Sequence, residues 1–72
     1  MEYQMEKEFQ VHRLNDEGMQ KAIDIATQFS DLLRFCKSVA EPGRELSIVA
    51  TKLEEAAFFA KKALAINKKY QI

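Results

Sequence analysis

The stretch PGRELSIVATKLEEAAFFAKKALA, residues 42–65, decides the fold because a turn signal is followed there by a complete helical pattern. Pro42 disfavours helical geometry at the preceding Glu41, and Gly43 lets the chain turn. After the turn, apolar residues recur at spacings of three and four: Leu46, Val49, Leu53, Ala56, Ala60 and Ala63. This spacing predicts an amphipathic helix over about residues 43–68.

A similar pattern precedes the turn. In the segment LNDEGMQKA, Asn15 fits an N-cap, and Asp16 and Glu17 fall in the first turn, where the helix dipole favours acids. The apolar stripe then continues through Met19, Ala22, Ala26, Phe29, Leu33, Cys36 and Ala40. We therefore expect a helix over about residues 15–40. Two long helices around a short turn form an antiparallel hairpin, which would occupy residues 15–72.

The two stripes are expected to pack on each other, since their many alanines allow the helix backbones to approach closely. A second apolar line is left over on each helix: Ile25, Leu32 and Val39 on the first, and Ile48, Phe59 and Ile66 on the second. One hairpin cannot cover these lines as well. Because each set repeats at helical spacing, we expect subunit contacts there rather than scattered exposed residues.

The length of 72 residues also favours self-association. A chain of this size buries only about 60% of its unfolded surface, and such domains are usually reinforced by disulfides, a metal or oligomerisation. Cys36 is the sole cysteine and His12 the sole histidine, so neither an internal disulfide nor a Cys/His zinc cluster can form. Cys36 lies on the predicted seam, where a buried, inert thiol is expected. The predicted fold is an all-α homo-oligomer without metal or cofactor.

The N-terminal residues 1–13 follow a different period. Polar residues alternate with apolar ones at odd positions, namely Met1, Tyr3, Met5, Phe9 and Val11. Such alternation predicts an extended, strand-like arm with one buried face, which we assign to residues 1–14. The arm could pair with its copy in a second subunit or lie along a neighbour's helices, and a frayed terminus is the alternative.

The charge balance limits the partners. Eleven basic and eleven acidic residues cancel, which argues against sequence-blind binding of DNA or RNA. A small anionic ligand is compatible with this balance, because a pocket needs local rather than net charge. No apolar run approaches the roughly 20 residues of a membrane span, and the N-terminal MEYQMEKEFQ lacks the apolar core of a signal peptide. We therefore expect a cytoplasmic protein.

A polar row lies roughly opposite the apolar seam of the second helix and contains Arg44, Ser47, Thr51, Glu55, Phe58 and Lys62. Arg44 falls in the first turn, where free backbone N–H groups favour phosphate, and its guanidinium can grip two phosphate oxygens. The two hydroxyls of the row can donate to phosphate or accept from a base or ribose. Glu54 or Glu55 could accept from a nucleobase amino group, and Phe58 offers a stacking face. An ordinary solvated helix face is the alternative.

Catalysis finds less support in the sequence than ligand binding does. The chain contains no nucleophile elbow, no glycine-rich phosphate loop and no metal motif. We therefore expect no catalytic residues.

The stretch GRELSIVATKLEEAAFFAKKALA resembles the C-terminal helix of the anti-CBASS sponges, a family of small phage proteins that sequester cyclic nucleotides. It is also similar to the related hairpin domain of anti-Thoeris sponges. The matching features are Arg44 followed by Ser47, Thr51, Leu53, Glu54, Ala56 and the small residues from Ala60 to Ala63. The preceding HRLNDEGMQKAIDIA is similar to the family's approach into its first helix. The resemblance covers about residues 11–65.

This resemblance implies a compact hexamer built from dimers, which binds cyclic dinucleotides or trinucleotides at subunit interfaces without cleaving them. A cyclic ADP-ribose isomer is a further ligand candidate. Such a sponge would keep a bacterial anti-phage effector inactive by sequestering its signal. The alternative function is an oligomeric hairpin that binds a host or phage protein through its outer apolar line and N-terminal arm.

The resemblance also implies the ligand-binding residues. Arg44, Ser47 and Thr51 match positions around the phosphates and bases of the nucleotide, and Glu54 lies next to them. The family also uses an aromatic residue before the first helix and a lysine within it. The counterparts here are His12, where the expected tyrosine is absent, and Lys21, for which Asp24 is the alternative.

Overall fold

The fold is seen in a computed structural model that describes residue 6 and residues 12–72. It contains two α-helices, α1 (Asp16–Val39) and α2 (Arg44–Ala65), followed by a short 3-10 helix, Lys68–Tyr70. Residues 12–72 contain no strand, and one isolated antiparallel β-bridge joins Leu14 to Gln71. The predicted all-α hairpin is confirmed. The predicted extended arm lies mostly outside the described residues.

The start and the end of α1 follow local chemistry. The side-chain Oδ1 of Asn15 accepts a hydrogen bond from the Gly18 N–H at 2.7 Å, which confirms the predicted N-cap. The helix ends at Val39. The next residue, Ala40, has an extended backbone, and its N–H donates to the Cys36 carbonyl at 2.9 Å.

The turn between the helices depends on Gly43, which has φ 158° and ψ −163°. This combination is essentially restricted to glycine because other side chains clash there. The Gly43 carbonyl accepts the first hydrogen bond of α2, from the Ser47 N–H at 3.0 Å. The short Pro-Gly segment therefore reverses the chain directly into a new helix.

The second helix ends at Ala65, about three residues earlier than its apolar pattern predicted. Asn67 explains the difference, because asparagine competes for backbone groups and starts a new element. Its Oδ1 accepts from the Lys69 N–H at 3.1 Å, and its carbonyl accepts from the Tyr70 N–H at 3.0 Å. Residues 68–70 consequently form a separate 3-10 turn.

The helices meet along a seam of half-buried residues. Its members are Ala22, Ile25, Phe29, Leu33 and Cys36 on α1, and Leu46, Val49, Ala50, Leu53, Ala57, Ala60 and Leu64 on α2. The predicted stripes were partly wrong, because Met19, Ala26, Ala40, Ala56 and Ala63 are exposed. Burying the larger Ile25 and Leu64 removes more apolar area from water than burying the neighbouring Ala26 and Ala63. Cys36 is half-buried rather than buried.

The hairpin has the thickness of a single layer. Its principal extents are 56 × 25 × 11 Å, and its radius of gyration is 15.9 Å, against about 11 Å for a compact domain of this length. No hydrophobic side chain is fully buried among the described residues. Five predicted second-line residues are exposed, namely Leu32, Val39, Ile48, Phe59 and Ile66, whereas Ile25 belongs to the seam. Over the described residues, no helix is long and apolar enough to cross a membrane.

Residues 67–72, which we call the C-terminal strap, close the open end of the hairpin. The Asn15 N–H donates to the Tyr70 carbonyl at 2.8 Å, and the Asn15 Nδ2 donates to the Lys69 carbonyl at 3.1 Å. The Ile72 N–H donates to the Arg13 carbonyl at 3.0 Å. The strap therefore ties the end of the chain to the segment that leads into α1.

Candidate ligand-binding site

The predicted polar row lies on an exposed face of α2, beginning at the turn. Arg44, Ser47 and Thr51 line a shallow surface depression of about 270 Å³ together with Ile48 and Lys52. Gly43 provides no side-chain cap for α2, so the backbone N–H groups of residues 44–46 precede the first hydrogen bond of the helix. Within the described residues, Arg44 forms no ion pair. A guanidinium and free N–H groups thus lie at the same helix end.

The hydroxyl of Thr51 has a local partner. Its Oγ1 donates to the Ser47 carbonyl at 3.2 Å, a common arrangement for a threonine within a helix. The oxygen keeps its lone pairs for a donor from a ligand, and rotation about the side chain would free the proton. Ser47, one turn earlier on the same face, is exposed.

A second depression, of about 440 Å³, continues along the helix and shares Thr51 with the first. Glu54, Glu55, Phe58 and Phe59 complete its lining. The Phe58 and Phe59 rings meet edge to face, with centroids 5.4 Å apart and an interplanar angle of 86°. Glu55 accepts a hydrogen bond from Lys52 at 3.4 Å, whereas Glu54 has no hydrogen-bond partner among the described residues. A carboxylate acceptor and aromatic surface are therefore combined in one depression.

Phe59 is a residue that the sequence analysis placed only on an apolar line. Its position beside Phe58 in the chain was the available signal, since adjacent helix residues lie about 100° apart and both can border one depression. We refer to Arg44, Ser47, Thr51, Glu54 and Phe58 as the α2 strip.

An apolar groove between the helices adjoins the α2 strip. It has a volume of about 320 Å³ and is lined by Phe29, Ser30, Leu33, Ala50, Leu53, Glu54 and Ala57. Glu54 lines both surfaces, so the strip meets the groove at this residue, whereas Arg44, nine positions before the groove residue Leu53, lies about 180° around the α2 axis from it. All of these depressions are open to solvent, so a ligand bound to one chain would remain largely exposed on one side.

The two remaining predicted residues, His12 and Lys21, lie at the other end of the hairpin. His12 precedes α1 and Lys21 falls in its second turn, whereas Arg44 begins α2 at the turn between the helices. The 22 residues of α2 separate these ends, a length of about 33 Å at 1.5 Å per residue. One chain therefore does not gather the six predicted residues around a single ligand.

Lys21 also faces away from the groove between the helices. It precedes Ser30, a groove residue, by nine positions in α1, which places it about 180° away around the helix axis. Lys21 consequently lies on the opposite side of the hairpin from the groove. In the described part of the chain, His, Cys, Asp and Glu side chains form no group of three or more that could hold a metal ion.

The described chain is thus a two-helix hairpin with open depressions along α2 and between the helices. The chain matches the family described as Acb2/Tad1, hairpin domain, over residues 1–65, and it belongs to this family. The family comprises sponge-type anti-defence proteins, and the match confirms the resemblance found in the sequence. No curated protein and no solved structure matches the chain. The C-terminal strap lies beyond the matched residues.

Proposed function

We propose that the protein is a noncatalytic sponge that binds a cyclic oligonucleotide immune signal and so blocks bacterial anti-phage defence. The ligand is a cyclic dinucleotide or trinucleotide, or a cyclic ADP-ribose isomer, and binding takes place in the cytoplasm of the infected bacterium. The observation that carries the proposal is Arg44 at the uncapped start of α2, in a chain that belongs to a sponge family.

The α2 strip accounts for the chemistry of binding. The Arg44 guanidinium and the free N–H groups at the start of α2 can hold a phosphate of the ring. The hydroxyls of Ser47 and Thr51, one and two turns further on, are within the same depression and can contact phosphate or ribose. Glu54 can accept from a nucleobase amino group, and Phe58 supplies a ring for stacking.

Self-association of the hairpin, to a hexamer in the family's manner, completes this site. A single chain leaves one side of the ligand in water and holds His12 and Lys21 toward the end of the hairpin opposite Arg44, which begins the 22-residue α2. A second copy packed antiparallel to the first would bring its His12 and Lys21 toward the Arg44 end. The exposed apolar side chains, among them Leu32 and Phe35, supply the surface for such contacts.

Binding alone is sufficient for this function. A sponge lowers the concentration of free signal by mass action, so it needs tight binding and sufficient protein but no bond cleavage. The α2 strip offers groups that hold phosphate, ribose and base.

The test is a calorimetric titration of the purified protein with cyclic dinucleotides, cyclic trinucleotides and cyclic ADP-ribose isomers. The bound ligand is then released by heating and examined by chromatography. We expect tight binding to one of these classes and recovery of the ligand intact. Recovery of a cleaved ligand would contradict the noncatalytic mechanism, and no binding across the panel would contradict the sponge.

A second candidate function is the binding of a host or phage protein by an oligomeric hairpin. The observation in its favour is the exposed apolar line of Leu32, Phe35 and Val39 on α1, which could receive a partner helix. No heat of binding with any nucleotide, together with an unchanged assembly, would favour this function.

A further inference from the structure

We propose that the C-terminal strap positions His12 for ligand binding, with Gly18 and Tyr70 as the residues that seat the strap. The inference rests on the proposed function, in which His12 contacts the ligand. It assigns a role to residues 67–72, which the family match over residues 1–65 does not include.

The strap fixes the backbone immediately after His12. The Arg13 carbonyl accepts from the Ile72 N–H at 3.0 Å, and Leu14 pairs with Gln71 in the isolated β-bridge. One residue further, the Asn15 N–H donates to the Tyr70 carbonyl at 2.8 Å. These two hydrogen bonds, which together form the bridge of Leu14 with Gln71, tie residues 13–15 to the strap, and the half-buried His12 adjoins them.

The strap is anchored to the end of α2. The Gln71 Nε2 donates to the Ala65 carbonyl, the last residue of α2, at 2.9 Å. The Asn67 N–H also donates to the Leu64 carbonyl in the last turn of α2, at 3.0 Å. The strap therefore fixes the position of residues 13–15 relative to α2 as well as to α1.

Gly18 is the position on α1 against which the strap is seated. It is the one buried residue among those described. A Cβ atom there would lie 2.8 Å from the Tyr70 carbonyl oxygen, 2.9 Å from the Tyr70 Cβ and 3.2 Å from the Leu14 Cβ. Glycine is a poor helix former, so the close approach of the strap, rather than the helix, explains its presence in the first turn.

The strap acts on one end of the site only. Gly18 and His12 lie at the open end of the hairpin, and Arg44 lies at the other, about 33 Å along α2. A disturbance of the strap should change the contribution of His12 to binding and leave that of Arg44 unchanged. A double-mutant cycle distinguishes an effect on His12 from an effect on Arg44, because the changes in binding free energy caused by substitutions at distant, independent sites add.

The experiment is a double-mutant cycle on the full chain, with cyclic di-AMP and cyclic tri-AMP as probes. Affinities are measured for the wild type, Gly18→Ala, His12→Ala and the double variant, and a parallel cycle pairs Gly18→Ala with Arg44→Ala. We expect Gly18→Ala to weaken binding about tenfold in the chain with His12 and less than twofold in the chain with His12→Ala. In the cycle with Arg44→Ala, the fold-losses of affinity caused by the two single substitutions should multiply in the double variant, as expected for independent sites.

Amide hydrogen exchange without ligand tests the strap itself. In Gly18→Ala we expect faster exchange at the amides of Asn15 and Ile72, and unchanged exchange in the middle of α2. Gln71→Ala, which loses only the bond to the Ala65 carbonyl, should have the same effects in weaker form. Thr27→Ala, an exposed change in the middle of α1, is the matched control and should alter neither measurement.

The possible results separate the positioning role of the strap from the proposed function. Equal losses of affinity with and without His12, or unchanged exchange at Asn15 and Ile72, would overturn the positioning role alone. Failure of the wild type to bind either probe or any other member of the nucleotide panel would overturn the proposed function, and the positioning role with it.

Discussion

A Cβ atom at Gly18 would stand 2.8 Å from the carbonyl oxygen of Tyr70, so the first turn of α1 and the C-terminal strap fit together only without a side chain at position 18. The two residues are far apart in the chain, and their contact closes the open end of the hairpin. The stability of the monomeric fold should therefore depend on this contact.

We expect Gly18→Ala to lower the free energy of unfolding by up to about 2 kcal/mol. The overpacking cost, typically about 1–3 kcal/mol, exceeds the gain in helix propensity of about 1 kcal/mol. The measurement is urea unfolding at one fixed protein concentration. Thr27→Ala, at an exposed α1 position, should be neutral or slightly stabilising. A Gly18→Ala variant more stable than the wild type would contradict the seated strap.

The side-chain amide of Asn15 caps α1 with its oxygen and contacts the strap with its nitrogen. Its Oδ1 accepts from the Gly18 N–H at 2.7 Å, and its Nδ2 donates to the Lys69 carbonyl at 3.1 Å. Asn15→Asp keeps an acceptor for the cap and loses the donor, whereas Asn15→Ala loses both. We expect Asn15→Ala to be destabilised by about 1–2 kcal/mol, and Asn15→Asp by about 1 kcal/mol less than Asn15→Ala. Thermal unfolding followed by circular dichroism checks this order, and equal losses would show that the cap contributes little.

The sequence was sufficient for the elements that depend on local chemistry. Asn15, Pro42 and Gly43 act through their neighbours in the chain, so the start of α1 and the turn were predicted correctly. The seam was less well predicted because two neighbouring stripes both satisfy helical spacing. Ile25 and Leu64 are half-buried, while Ala26 and Ala63 are exposed. The strap was missed because it rests on contacts such as Asn15 to Lys69, which are 54 positions apart.

The sequence predicted the grouping of the candidate site residues on α2, but not how His12 and Lys21 are placed relative to them. Residues three or four apart on one helix share a face whatever surrounds them, so Arg44, Ser47 and Thr51 line one depression. No such rule relates His12 or Lys21 to Arg44. In the proposed sponge, their meeting at one ligand would depend on the packing of separate chains, which the pattern of a single chain does not determine.

Arg44 provides the direct test of ligand binding. We expect Arg44→Ala to weaken binding of the cyclic nucleotide about 10–100-fold, because a charge-assisted hydrogen bond contributes about 1.5–3 kcal/mol. The assembly should be unchanged, since Arg44 is exposed and forms no ion pair among the described residues. The measurement is calorimetric titration together with size-exclusion chromatography.

Arg34→Ala is the matched control for this substitution. Arg34 is also an exposed arginine, but it lies on α1 and pairs with Asp31 at 2.9 Å. An exposed ion pair of this kind contributes about 0–1 kcal/mol to the stability of the fold, so Arg34→Ala should leave the fold intact. Because Arg34 lies outside the α2 strip, its loss should leave the affinity for the ligand nearly unchanged. Similar losses for the two variants would show that overall positive charge, rather than the position of Arg44, attracts the ligand.

The exposed apolar line on α1 should hold copies of the chain together. Leu32, Phe35 and Val39 are 47%, 64% and 69% exposed. Burying such side chains against a second copy contributes about 25 cal/mol per Å² of apolar area, whereas a carboxylate at the contact would be desolvated at a cost. We therefore expect Phe35→Glu to shift sedimentation equilibrium toward the monomer and to lower the midpoint of thermal unfolding.

Gln28→Glu, an exposed change two helical turns before Phe35, introduces the same charge without removing an apolar side chain. It should leave the sedimentation profile close to that of the wild type. An unchanged assembly in Phe35→Glu would place the subunit contacts elsewhere, such as on the outer line of α2 that includes Ile48 and Ile66.

The hairpin is 11 Å thick along its shortest axis, so each turn of either helix presents residues to both of its sides. The residues of the two sides therefore alternate along the same two backbones. In the proposed sponge, ligand specificity and subunit pairing would therefore be inherited together. Selection for a changed signal would act on combinations of substitutions, with the hydroxyl positions of α2 altered alongside the apolar positions behind them.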